Sequence, residues 1–213
     1  MKTSAKRSLL AAALTLAMVP APIALGAESA DRAALIKEKI QSLRSGCAQG
    51  RNQITLTMEE LSRMLAPGVE LRPQFEKFKA ELVKMEEKAA SARERATSMK
   101  EKGEAFFSDW EQEVRSIQNE SIRKEASSRL AKRRKSYSKI LSAMQEAKEG
   151  LVPFMSDLND IKTLLDSELT PTSVASTKSL IRKANWHATD VRESLVDVEK
   201  ELDRVSAELA TYQ

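Results

Sequence analysis

The 213-residue chain holds one histidine and one cysteine, so the side chains most used for proton transfer, nucleophilic attack and soft-metal binding are nearly missing. Metal sites in helical bundles draw on Glu-x-x-His pairs from facing helices. Here Ala184, not an acid, stands three residues before His187. His187 adjoins the apolar position Ala188 and is expected on the flank of a helix surface. Cys47 falls on an apolar seam and reads as a small buried packing residue; a disulfide-linked dimer is the alternative in an oxidising compartment. There is no Cys pair for zinc or haem, no Gly-rich phosphate loop and no Ser-elbow motif. Glu and Asp alone can run acid–base chemistry, but none sits in a pattern that separates it from a charged helix face. The expectation is a non-enzyme with no catalytic, cofactor or metal site.

What stands out instead is charge. Residues 122–140 hold Arg123, Lys124, Arg129, Lys132, Arg133, Arg134, Lys135 and Lys139 against Glu125 alone, a net of +7. One reading is contact with an anionic surface, phospholipid or envelope polymer, through Arg129, Lys132, Arg133, Arg134, Lys135 and Lys139. The other is internal neutralisation. Turns near Asn119 and Thr170 would lay this block between residues 101–120 and 193–208, each with a net of −4. Exposed pairs stabilise by only about 0–1 kcal/mol each, so their joint role would be to set helix order. Nucleic acid is not expected, because aromatic residues are not interleaved with the basic ones. Trp110 extends an apolar seam and is expected in the core. Trp186 points away from its seam, either to pack on another helix or to anchor a partner.

These residues need elements to carry them, and the chain begins with a segment outside the fold. Lys2, Lys6 and Arg7 precede the uncharged run Leu9–Val19, then Pro20, Pro22 and the small residues Ala24, Gly26 and Ala27. This is the order of a secretory signal peptide over 1–27, cleaved after Ala27 or Gly26. The run is too short for a membrane span, which needs about 20 residues, and no later segment is apolar enough to be one. The mature chain is expected to be exported to the periplasm or beyond. The leader carries three of the 35 basic residues and none of the 31 acidic ones, which leaves 32 against 31. The basic balance of the whole chain is thus in large part an export feature.

Residues 28–213 read as one elongated all-α domain. Gly and Pro number six each and aromatics make up 4%, whereas charged residues reach 31%. Breaks at Pro67-Gly68 with Pro73, at Asn119 with Ser121, and at Thr170-Pro171 predict helices near 30–66, 73–118, 121–169 and 171–211. The last repeats Ile181, Ala184, Ala188, Val191, Leu195, Val198, Leu202, Val205 and Leu209 in steps of three and four, a heptad seam. The second runs from Phe75, Phe78, Leu82, Met85, Ala89 and Ala92 through Gly103, Phe106 and Trp110. The first runs Ile36, Ile40, Leu43, Cys47, Gly50, Ile54, Met58, Leu61 and Leu65. The third has a seam of Tyr137, Leu141, Met144, Leu151, Met155, Leu158 and Leu165, and a second row of Ile140, Ala147, Phe154 and Ile161 beside it. Such a wide stripe touches two neighbours and predicts an antiparallel four-helix bundle built of coiled-coil hairpins. Pro153 is expected to kink the third helix. Gly50 and Cys47 should meet Ala89 and Ala92 in a close-packed waist between the first two helices. Between Ile117 and Ile122 the apolar phase jumps by five residues, which predicts a turn, with a stutter in one continuous helix as the alternative.

The stretch Trp110-Glu111, Ile117, Asn119, Ser121-Ile122-Arg123, Leu130, Arg134, Tyr137, Leu141, Met144, Ala147, Leu151, Pro153, Leu158 and Asp160 resembles a bacterial family, domain-of-unknown-function family 2959. The likeness covers most of the mature chain and is densest from Phe106 to Asp160. It implies an exported, long-helical protein and brings no activity. The family's His-Asn-Leu-Asn-like segment is replaced here by Asp166-Ser167-Glu168-Leu169-Thr170-Pro171. Together these readings favour a non-catalytic envelope scaffold or interaction protein, with a protein partner or self-association through its helices. Binding to an anionic surface and holdase-type chaperone activity are the alternatives.

Overall fold

A computed structural model describes residues 24–210, with side chains from 37 to 207. Most of the expected leader, 1–23, lies outside the described residues, as do the side chains of Ile36, Glu208 and Leu209. Five helices follow in order: α1 (Ala24–Arg63), α2 (Leu71–Ser116), α3 (Glu120–Ser167), α4 (Pro171–Ser176) and α5 (Lys178–Ala210). Among the described residues there is no strand, and no helix is long and apolar enough to cross a membrane.

The three connections that reverse the chain are short and each is written in local chemistry. Gly68 takes φ +73°, a conformation that costs glycine little, and lets α1 reverse into α2. Pro73 sits in the first turn of α2, where a missing backbone donor costs nothing. The Ile117–Asn119 break is a turn and not a stutter. Asn119 caps α3 by accepting the Ile122 N–H at 3.1 Å. Thr170 caps α4 by accepting the Ser173 N–H at 3.1 Å, with Pro171 at the first helical position. α3 runs helical through Pro153.

The expected fourth helix is divided. At Thr177 the hydroxyl donates to the Val174 carbonyl at 2.7 Å and the backbone N–H is shared between Ser173 and Val174. This local bonding competes with the regular helix pattern, so a short helix of six residues, α4, precedes α5.

α1 packs on α2 and α5, and α3 packs on the same two helices. The result is a ring of four antiparallel rods, because each short connection reverses the chain. Buried polar groups lock α1 to α2. The Gln53 amide donates to the Glu81 carbonyl at 3.1 Å and to its carboxylate at 2.7 Å. The Gln74 amide does the same to Glu60, at 2.8 Å in both cases.

The core has three parts. At the end closed by the α1–α2 and α3–α4 turns, Ile54, Leu61, Phe78, Leu82, Phe154, Leu158, Ile161, Ala184 and Ala188 are among seventeen buried residues drawn from all the helices. The middle holds Ile40, Leu43, Cys47, Ile140, Ala143, Ala147, Val198 and Leu202. At the α2–α3 turn, only Phe107, Val114 and Leu130 are buried, with Phe106, Trp110, Ala126 and Tyr137 against them.

The middle corrects the expected waist. None of its buried residues comes from α2, Ala92 is exposed, and the open side of Gly50 faces Leu195 of α5 at 3.4 Å. The α1 seam here is covered by Ile140, Ala143 and Ala147 of α3 and by Val198 and Leu202 of α5, while on α2 Ala89 is buried and Ala92 is not. Beyond the waist, α2 buries Phe107 and Val114, while Phe106 and Trp110 are partly covered.

Candidate functional site

Asp157 is the carboxylate that the fold buries most deeply among the described residues, with its side chain 4% exposed. It follows Phe154 by three and precedes Ile161 by four, so helical spacing carries it into the buried stripe of α3. An isolated buried carboxylate is costly, and α5 supplies its partners. Lys183 and His187 are four residues apart on one face. The Lys183 ammonium donates to Oδ1 at 3.0 Å, and His187 Nδ1 lies 2.8 Å from Oδ2. The His187 side chain is 11% exposed, whereas Lys183 is largely in water. The pairing holds the imidazole in one orientation.

Trp186 lies against that imidazole, with ring centroids 5.1 Å apart, yet is 62% exposed. It is not buried against another helix. The arrangement is an exposed indole backed by a ring that a buried carboxylate fixes in place.

The basic block divides when folded. Arg134 reaches α2 and meets Glu111 at 3.4 Å, and Arg129 pairs with Glu125 on its own helix. Arg133 is half-buried and engaged in contacts. Arg123 donates to the Ile117 carbonyl at 2.9 Å. Lys132, Lys135 and Lys139 are exposed and form no ion pair among the described residues. Among the described residues, the expected neutralisation by α5 is not built as ion pairs. Glu199 and Asp203 point to α1, where Arg51 meets Glu199 at 2.9 Å and Arg44 meets Asp203 at 3.1 Å. Only Lys139 opens on a groove that Asp197 and Glu201 also line.

An open groove between α1 and α5 has Arg51, Asn52, Thr55, Thr189, Arg192 and Val196 among its lining residues. Arg192 donates to the Thr55 hydroxyl at 3.3 Å and to that of Thr189 at 3.1 Å.

Two further groups have settled environments. Cys47 is buried, and burial together with the charge of Glu199 pushes its thiol up to about 11. Tyr137 donates to the Met99 carbonyl at 2.9 Å, and burial and Glu104 push its hydroxyl up to about 12. Neither is poised as a nucleophile near neutral pH. Among the described residues, no three His, Cys, Asp or Glu side chains gather where they could hold a metal ion.

The model of the family of proteins of unknown function DUF2959 matches residues 25–209. The chain belongs to that family. Neither the curated proteins nor the solved structures contain a match. Membership brings no activity with it and leaves the chemistry to be read from the residues themselves.

The Asp157 cluster was missed by pattern reading because its members are 26 and 30 residues apart and on different helices. One signal was present: an acid three residues after Phe154 and four before Ile161 has to find a partner. A further signal was the i, i+4 placement of Lys183 and His187.

Proposed function

We propose that the protein is a non-catalytic, exported interaction protein of the bacterial envelope, which engages a protein partner through the Trp186 face of α5. The carrying observation is the exposed indole braced by the Asp157–His187 pair. Large aromatic residues on rigid supports are the usual anchors of protein interfaces, because they bury much area and lose little conformational freedom on binding. The basic, apolar, small-residue order of positions 1–27 supports export.

Cross-linking in intact cells, followed by sedimentation of the purified complex, tests this reading. The expected results are a processed chain beginning at Ala27 or Glu28, a defined complex, and at least about tenfold weaker association for Trp186→Ala. A chain retained in the cytoplasm, a strict monomer without a partner, or a complex indifferent to Trp186→Ala would overturn it.

A further inference from the structure

The basic residues of α3 lie on two different faces. At about 100° per residue, Leu130, Tyr137 and Ile140 mark the inward side, and Leu130 and Ile140 are buried there. The arginines lie on that side or toward its flanks, with the partners already described. Lys124, Lys132 and Lys135 fall within an arc of roughly 100° on the opposite side, and Lys139 lies at its α5 edge, where it shares a groove with Asp197 and Glu201. All four are exposed, and none forms an ion pair among the described residues. They span about 22 Å at 1.5 Å per residue. Ser128, Ala131 and Ser138 stand between them, too short to hold a flat surface away. The one carboxylate in residues 121–142 is Glu125, at the edge of the arc and engaged by Arg129.

The geometry points to side-on, peripheral docking of this lysine face onto an anionic phospholipid surface. Three features favour a lipid surface over a soluble polyanion. The stripe lies along the exposed side of one helix, which suits a plane. Its charges are lysines, flexible point charges that adapt to a fluid array of headgroups. The arginines, which would grip individual phosphates with two hydrogen bonds, are the ones the fold has turned aside or paired. Acidic residues on the α2 side lie about one helix diameter away, on the order of 10 Å, and the Debye length at 0.1 M salt is about the same. Their repulsion is therefore partly screened at that ionic strength. This docking does not depend on the Trp186 face.

The test is co-sedimentation of the full chain with phosphatidylcholine vesicles that contain 0 or 30% phosphatidylglycerol, in low and high salt. Lys124→Gln/Lys132→Gln/Lys135→Gln is run in the same full-length background, so any affinity of residues 1–27 is common to both proteins. A lysine near an anionic surface changes partitioning about fivefold, so the triple variant should lose binding by on the order of 100-fold. High salt should abolish the phosphatidylglycerol-dependent part of the binding. Trp186→Ala should bind vesicles normally, which separates this face from the protein-docking one. Far-UV circular dichroism checks that the variants keep their helices. Three outcomes overturn the inference: equal binding to neutral and anionic vesicles, a folded triple variant within twofold of the parent, or capture of soluble polyphosphate without vesicle binding.

Discussion

Asp157 shows how one residue acquires a role from its surroundings. On a solvated helix face it would be one acid among 31; within the buried stripe of α3 it requires the two cation-forming side chains that α5 brings to it. Cys47 is the opposite case, a group made inert by its surroundings. Its thiol is raised from the ordinary 9.0 to about 11, first by burial and then by Glu199. A folded-state value above the unfolded one means that the thiol contributes stability fully below the unfolded value. That contribution is lost as pH rises from 9.0 toward about 11. Ellman's reagent at pH 8 should accordingly label native protein far more slowly than urea-unfolded protein, and no disulfide-linked dimer should form. Fast labelling of the native chain would show that Cys47 is accessible.

Among the elements, α3 departs most from its expected packing. Its second row, Ile140, Ala147, Phe154 and Ile161, is buried, as are Leu158 and Leu165 of the seam, whereas Tyr137, Leu141, Met144, Leu151 and Met155 are only partly covered. The apolar pattern defined a stripe of the right width, but its centre depends on where α2 and α5 sit. The α2–α3 contact offers a test at this scale. A methyl group on Gly103 would collide with the hydroxyl and ring of Tyr137. Alanine is favoured over glycine by about 1 kcal/mol within a helix, while forced overpacking costs typically about 1–3 kcal/mol. Because the Tyr137 hydroxyl would also lose its bond to Met99, the clash should win. Gly103→Ala is expected to destabilise the protein by about 1–2 kcal/mol in urea denaturation. A gain in stability would mean that Tyr137 moves aside without cost.

For the molecule as a whole, the uneven core is the main consequence of the fold. One end buries side chains from all the helices, whereas the α2–α3 turn end has a core of three buried residues from two helices. Local stability follows the density of buried apolar contacts. Amide hydrogen exchange should therefore be slowest in 54–61, 78–85, 154–165 and 184–191, and faster by at least tenfold in 105–130. Uniform protection along α2 would contradict this gradient. Charge pairing is likewise a property of the whole: α5 spends Glu199 and Asp203 on α1, which leaves α3 more positive on its outer side than sequence neighbours alone would suggest.

The amino-acid sequence by itself determined the helices, their turns at Pro67-Gly68, Asn119 and Thr170, the antiparallel order and the identity of most core residues. These depend on local propensities, capping and the 3.6-residue period, all of which are written along the chain. Only tertiary structure decided which row of α3 faces inward, that Ala92 is exposed, which acids meet which arginines, and that Asp157 meets Lys183 and His187. Each of those turns on the rotation and stagger of one rod against another. A shift of a single residue swings a side chain by about 100°, and the repeat pattern constrains that rotation too loosely to choose a partner.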